Sequence, residues 1–283
     1  NQQAEIEYLH KNSVELSIPD VKFLKKEDII DLEPNAVGEL GLFVGCTGII
    51  SSHQLMDAFY NISKNHDHDY LFKSSVIDID QIKGGYKVSI KNPYGNIETV
   101  TSEWVINAAG LQSDIIANLL GNSTNPFPEL SYSKGCYFKL DSKWNGKFKH
   151  LIYPTPDKGR NTLGIHLTID ENNQIKLGPN AIWLEDRKEN YDVDQYLLDL
   201  FFNEASMYIK GLKKSDISPD YSGIRPRIKT KNNTFSDFYI THEEVSGYPG
   251  FINLIGIDSP GLTSAIAIGK SISKLITKNL TFL

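Results

Sequence analysis

The 283 residues carry 29 Lys and Arg against 35 Asp and Glu, a formal net charge of −6, with 40% hydrophobic and 11% aromatic side chains. That is ample apolar material for a packed core, and the acidic balance argues against nucleic acid as the main partner. Cys46 and Cys136 stand far apart with no CxxC pairing, against a disulfide framework or a cysteine zinc site, and no apolar run is long enough to cross a bilayer.

In chain order, Glu5 to Ser13 is weakly helical, and Lys25 to Leu32 predicts a short helix stopped by Glu33-Pro34. Gly38 to Gly48 is glycine-rich but holds no GxGxxG and no phosphate-loop ending, so it predicts turn and strand. A helix capped near Ser51-Ser52 should run to about Lys64. His66-Asp67-His68-Asp69 lacks a third ligand at a metal spacing and reads as a solvated turn. A meander follows at Leu71–Asp80, Tyr86–Lys91 and Ile97–Val100, broken by Gly84-Gly85 and by Asn92 to Asn96. Trp104 to Asn107 predicts a buried strand ending in Ala108-Ala109-Gly110, with a helix from Ser113 to Leu120 after it.

Beyond Pro126 and Pro128 the pattern turns to strands at Cys136–Leu140, Leu151–Tyr153 and Thr162–Thr168. A polar helix follows over Val193–Tyr208, then strands at Tyr221–Ile228 and Asp237–Thr241. The run Phe251 to Ile255 predicts a strand feeding Gly256 to Ala265 and a final helix. Ser259 is the expected cap and Pro260 falls in the first turn. Leu262, Ala265, Ile266, Gly269, Ile272, Leu275 and Ile276 have the spacing of one buried helical face. The helix start exposes backbone N–H groups and a positive dipole end, which suits an electron-rich ring that becomes anionic on reduction.

Three segments together resemble D-amino-acid-oxidase-like flavoproteins. Trp104 to Asp114 resembles the last strand of their FAD domain, Gly223-Ile224-Arg225-Pro226 their arginine strand, and Asp258 to Ala265 their flavin-contacting turn and helix. Within that superfamily the L-2-hydroxyglutarate dehydrogenase/oxidase family is the best match. It is marked by Lys134 to Phe138, His150 to Asp157, Leu163 to Thr168 and Leu177 to Ala181, in family order. The resemblance implies an α/β fold: a Rossmann-like FAD-binding domain interleaved with a mainly antiparallel α+β substrate domain. We expect the first at 49–125 and 249–283 and the second at 1–48 and 126–248. The N-terminal βαβ unit with its GxGxxG is absent, so the chain looks like a fragment, with activity depending on that segment.

The resemblance further implies FAD as cofactor and L-2-hydroxyglutarate, a 2-hydroxy acid, as substrate, oxidised to 2-oxoglutarate by hydride transfer to the flavin. Arg225 would clamp the carboxylate, since guanidinium offers a rigid fork of donors; a plain surface ion pair is the other reading. Arg227, on the other side of its strand, is expected outside the site. His166 would take the hydroxyl proton, against a plain core histidine. Tyr153 and Tyr137 would line the pocket, and Lys134 is expected to be solvated. Backbone groups of Gly261, Leu262 and Thr263 would meet the flavin, Ala108, Ala109 and Gly110 would flank the dinucleotide, and Val76 would meet the adenine. No metal is expected. A bacterial cytoplasm or a mitochondrion, with or without peripheral membrane attachment, fits the family. Cys136, where the family has an acid, and the Arg225-Pro226 pair keep an amino-acid oxidase or dehydrogenase of the glycine, sarcosine or D-amino-acid type open. The absent fingerprint keeps open a truncated remnant without activity.

Overall fold

A computed structural model describes residues 2–121, 126–155, 164–230 and 236–280. The chain forms six helices and thirteen strands among these residues. In order they are α1 (Gln2–Glu15), β1 (Val21–Lys25), α2 (Lys26–Leu32), β2 (Leu40–Val44), α3 (Ser52–Lys64), β3 (Ser75–Ile82), β4 (Gly85–Lys91), β5 (Ile97–Ser102), β6 (Val105–Asn107), α4 (Ser113–Asn118), β7 (Leu130–Leu140), β8 (Leu167–Ile169), β9 (Ile175–Leu177), β10 (Ile182–Trp183), α5 (Leu198–Ala205), β11 (Ile217–Ile228), β12 (Tyr239–His242), β13 (Phe251–Ile255) and α6 (Gly261–Leu280). Pro156, Asp157, Thr162 and Leu163, which belong to the expected motifs, lie outside the described residues.

Two units divide the chain: 1–59, 134–183 and 188–224 form one, and 60–133, 184–187 and 225–283 the other. The division is interleaved, but its seams depart from the expected ones. Residues 49–59 go with the first unit, and 126–133, 184–187 and 225–248 with the second. Part of the reason is pairing: β12 lies antiparallel to β13, with Tyr239 opposite Ile255 and His242 opposite Ile252, so this segment belongs with the final strand.

The first unit is organised by a sheet in the order β10-β7-β9-β8, with β11 also on β7. β9 runs antiparallel to both β7 and β8, with Leu177 opposite Phe138 on one side and Leu167 on the other. These residues, with Cys136, Leu140, Ile169 and Ile175, give the sheet one apolar face. It is covered by Phe201 and Ala205 of α5 and by Ile209, Trp144 and Phe148. Phe138 and Phe201 meet with ring centroids 4.4 Å apart, a contact worth about 1 kcal/mol beyond the buried area. The alternation of strands sends every second residue to the opposite face.

β7 starts six residues before the predicted Cys136, because Tyr132, Ser133 and Lys134 are buried along it despite their polarity. The Leu151–Tyr153 strand shrinks to one bridge, Ile152 opposite Leu167, and the polar helix is confined to α5 preceded by a 3₁₀ turn at Gln195–Leu197. Lys134 is not solvated: its ammonium donates to the Asp192 carbonyl inside the unit.

In the second unit β3, β4 and β5 form the antiparallel meander, packed through Ile79, Tyr86 and Val88 onto Phe251 of β13. β13 pairs parallel with β6, Phe251 opposite Val105 and Asn253 opposite Asn107. Parallel pairs belong to sheets covered on both faces. α4 is held by Asp114, whose carboxylate takes two bonds of 2.8 Å from Arg187 and one from the Leu130 amide. The carboxylate beside it raises the Arg187 pKa.

Candidate functional site

In the second unit β6 ends at Asn107, whose side chain fixes the small-residue loop that follows. Its Nδ2 donates to Asn253 Oδ1 (2.8 Å) and to the Ser113 carbonyl (2.7 Å), and its Oδ1 accepts from the Ala109 amide at 3.4 Å. Asn253 Nδ2 donates in turn to Glu243 Oε1 at 2.8 Å, and both residues are fully buried. The loop has no bulky side chain, and Gly110 adopts a φ of 56° that only glycine takes without strain.

Beside this loop lies a cleft of about 630 Å³, lined by Ile106, Ala108, Gly110, Leu254, Gly261 and the Ala265–Thr277 stretch of α6. The apolar stripe of α6 is therefore not a buried core face, as its spacing predicted. Leu262 and Ile266 are exposed, Ile272 is buried, and the stripe walls an open cleft. The helix opens at Gly261, after the predicted Ser259 cap, with the Ser264 amide on the Pro260 carbonyl at 3.1 Å. Among the described residues, no backbone carbonyl accepts from the amides of Leu262 and Thr263, the donors every helix start leaves over. Val76 sits in β3 next to a register shift, half-exposed and away from this lining.

The turn into α6 is tied to β11 from the side. Arg227 Nε lies 3.2 Å from Asp258 Oδ2, so Arg227 is brought to the turn and not set on the far side of the strand as expected, because residues two apart on a strand share a face. Arg225 also acts on Asp258 through its charge. Burial pushes the Asp258 carboxyl above its ordinary pKa in spite of both cations, which oppose that shift. The segment Arg225–Ile228 thus sets the Arg227 guanidinium against an acid three residues before Gly261.

The first unit holds the other predicted residues. His166 is 8% exposed, and its Nδ1 lies 3.1 Å from the Gly164 carbonyl. A carbonyl only accepts, so Nδ1 carries the hydrogen of the neutral ring and Nε2 is the basic nitrogen. The ring stacks on Tyr153 at 4.2 Å and 18°, and burial raises the Tyr153 pKa. Tyr137 stacks on Tyr221 at 4.5 Å and 11°, and Lys176 sits 4.8 Å over the Tyr221 ring. Tyr221 was not foreseen; its place four residues before Arg225 on the same strand was the available signal. Cys136 faces the core, and burial pushes its thiol up. His150 is held by Glu33, 2.7 Å from Nδ1, and stays structural. No cluster of metal-ligating side chains and no helix long and apolar enough to cross a membrane occur among the described residues.

The sequence matches the family described as DAO, FAD dependent oxidoreductase, over residues 1–275. The chain belongs to that family of FAD-dependent oxidoreductases. It is 38% identical over 178 residues to the mitochondrial L-2-hydroxyglutarate dehydrogenase of Arabidopsis thaliana, covering 60% of this chain and 36% of that protein. It is also 28% identical over 284 residues to a glycerol 3-phosphate dehydrogenase of Caloramator mitchellensis, 97% of this chain and 55% of that one. The L-2-hydroxyglutarate dehydrogenase of Escherichia coli K12 is 25% identical, with 89% and 65% covered. The chain thus spans from about a third to two thirds of these relatives' lengths. In fold it is similar to the FAD-bound L-alpha-glycerophosphate oxidase of Mycoplasma pneumoniae, with a TM-score of 0.80 at 22% identity over 98% of this chain and 70% of that one.

The α/β fold with FAD as the family's cofactor agrees with the reading from sequence. The residues present fit such a group: the lining at Ala108, Gly110 and Gly261 is small, the cleft is apolar, and the α6 start offers unspent amide donors.

Proposed function

We propose that this flavoprotein oxidises L-2-hydroxyglutarate to 2-oxoglutarate. The observation that carries the reading is His166, one residue before β8, whose Nδ1 lies 3.1 Å from the Gly164 carbonyl and whose ring stacks on Tyr153, an arrangement that supports Nε2 as the base. FAD, when bound, supplies the two-electron acceptor for the hydride at C2. His166 Nε2 takes the proton of the C2 hydroxyl, and Arg225 holds the neighbouring carboxylate through its fork of N–H donors. Leu262 and Thr263 offer amides to the cofactor's electron-rich edge, Ala108 to Gly110 flank its dinucleotide part, and Val76 remains the proposed adenine contact. The 38% identity to a mitochondrial L-2-hydroxyglutarate dehydrogenase supports the choice of acid. Activity also rests on a glycine-rich dinucleotide unit, for the 283 residues contain no GxGxxG. A mitochondrial or bacterial cytoplasmic setting goes with this reading.

A second reading is glycerol 3-phosphate, favoured by the relative of that name matched over 97% of the chain. Both substrates carry a secondary alcohol near an anion. The test is anaerobic mixing of flavin-loaded protein with L-2-hydroxyglutarate, glycerol 3-phosphate or glycine, following the loss of flavin absorbance near 450 nm (a property of the ring, roughly the visible band). Bleaching by the first alone supports the proposal. Bleaching by either of the others, and not by hydroxyglutarate, overturns it.

A further inference from the structure

The backbone around His166 is fixed on both sides of the residue. The Ile165 carbonyl accepts from the Tyr208 hydroxyl at 3.0 Å, and the His166 carbonyl accepts from the Gly178 amide at 2.9 Å. Tyr153, stacked on the imidazole at 4.2 Å, is half-exposed, so packing alone does not place its ring. Its segment meets the sheet at one bridge, Ile152 on Leu167, through bonds of 3.0 and 2.8 Å. Leu151 and Ile152 add contact with the core, which is not directional. A single bridge is a pivot: it fixes a point and leaves a direction open.

The second fixed point lies upstream. Glu33, buried just past the end of α2, receives three donors on Oε1: the Lys149 amide at 2.7 Å, the His150 amide at 2.8 Å and His150 Nδ1 at 2.7 Å. Burying a carboxylate is costly unless it is bonded, and these three donors all come from one dipeptide. Two successive amides on one oxygen fix where the chain passes and which way it runs. At about 3.3 Å per residue, the pivot at Ile152 has an arm of about 7 Å to His150 and about 3 Å to Tyr153. A drift of about 2 Å at His150 therefore moves Tyr153 by about 1 Å, an error that in a reacting geometry costs up to about a hundredfold in rate.

The residues after Glu33 hold the other partner of the stack. The Val37 amide donates to the Tyr208 carbonyl at 2.9 Å, Ala36 bridges Ile209, and the Lys210 amide donates to the Asn35 carbonyl at 2.8 Å. Tyr208 is the residue whose hydroxyl holds Ile165. Residues 33–37 thus close a circuit of bonds around the stacked pair, with Glu33 on the Tyr153 side and Val37, through Tyr208, on the His166 side.

We propose that Glu33 is a positioning residue of the hydroxy-acid site, acting through Tyr153. It sets the phenol over His166 and so fixes the direction in which the imidazole meets the substrate. The proposal rests on His166 as the base of the reading above.

The experiment records the imidazole C–H signals of the protein by proton–carbon NMR, the His166 signal being assigned by its loss in His166→Asn. Protons over a stacked phenol are shielded. In Glu33→Ala the His166 signal should move downfield, towards its place in Tyr153→Leu. In Glu33→Gln, which keeps an acceptor oxygen, it should stay at the parent position. A loss of stability alone does not move the signal of the folded protein, and the measurement needs neither flavin nor substrate. In flavin-loaded protein, kcat for L-2-hydroxyglutarate should fall about tenfold in Glu33→Ala with KM little changed, and recover in Glu33→Gln. Should Glu33→Ala fail to fold, Glu33→Asp, with its oxygens drawn back by one methylene, should show a smaller shift in the same direction. An unmoved His166 signal in the folded variant overturns the proposal, as does an equal shift in Glu33→Gln. A moved signal with unchanged turnover leaves the anchor standing and strikes His166 as the base.

Discussion

Arg227 Nε and Asp258 Oδ2 lie 3.2 Å apart, both largely shielded from water, and join the end of β11 to the turn that opens α6. Removing one partner of such a pair strands the other as a buried charge, which costs about 3 kcal/mol. Arg227→Ala should therefore lower stability to urea by roughly that amount, and Arg227→Met/Asp258→Asn by much less. The Asp258 carboxyl already sits above its ordinary pKa, and losing Arg227 raises it further. A raised carboxyl favours the folded state less as pH climbs through its titration. The deficit of Arg227→Ala should thus be largest at neutral pH and narrow as the acid is protonated. A deficit independent of pH would contradict this.

Asp216 behaves in the opposite sense. Its side chain is almost fully buried, bonded by Lys143, by Trp144 Nε1 at 3.1 Å and by the Lys213 amide at 3.2 Å. Burial raises its pKa, yet the bonds from Lys143, Trp144 and Lys213 together hold it below the ordinary value. A depressed carboxyl stabilises the fold above the unfolded pKa of about 3.9 and ceases to do so as pH falls through the folded one. Asp216→Asn should lose stability at pH 7 and show a flatter acid limb in thermal melts. An unchanged acid limb would contradict the assignment.

The seam under the Ala108–Gly110 loop is a third test. Asn253→Ala leaves Glu243 and the Asn107 amide without their 2.8 Å partners. A buried group stripped of its bond costs about 1–3 kcal/mol, more where it is charged. The melting temperature should fall by several degrees, and flavin retention on gel filtration should fall further than in a surface control such as Lys270→Ala. Equal retention in both variants would show that the loop does not depend on this seam.

His166→Asn is the kinetic counterpart. The amide keeps a donor towards Gly164 while removing the basic nitrogen, so kcat for hydroxy-acid oxidation should fall about 10²–10⁴-fold. The melting temperature should move little. Retained turnover would assign His166 to packing against Tyr153 alone.

What could be read in advance was local. The meander, the Trp104–Asn107 strand and the final strand–turn–helix announce themselves by alternation, glycine breaks and helical spacing, and all three exist. What escaped depends on pairing at a distance. β9 and β10 are three and two residues long and carry no period of their own. The Arg227–Asp258 tie joins positions 31 residues apart, which strand alternation cannot foretell. Lys134 read as solvated because its carbonyl partner, Asp192, comes from a loop with no pattern. Tyr221 gained meaning only when registers set it beside Tyr137. The α6 stripe was seen correctly as apolar, but spacing says nothing about whether such a face closes on core or on a cleft.

The amide chain from Glu243 through Asn253 to Asn107 has a single sense of direction. Each nitrogen points back towards the acid and each oxygen forward, until the last oxygen reaches the Ala109 amide. Turning either amide over would set N–H against N–H, so the rotamers interlock like teeth of one ratchet. Deamidation of Asn253, a change of a single atom in its outline, would confront Glu243 with a second anion; slow chemical ageing at that one position should loosen the loop above it as surely as a designed mutation.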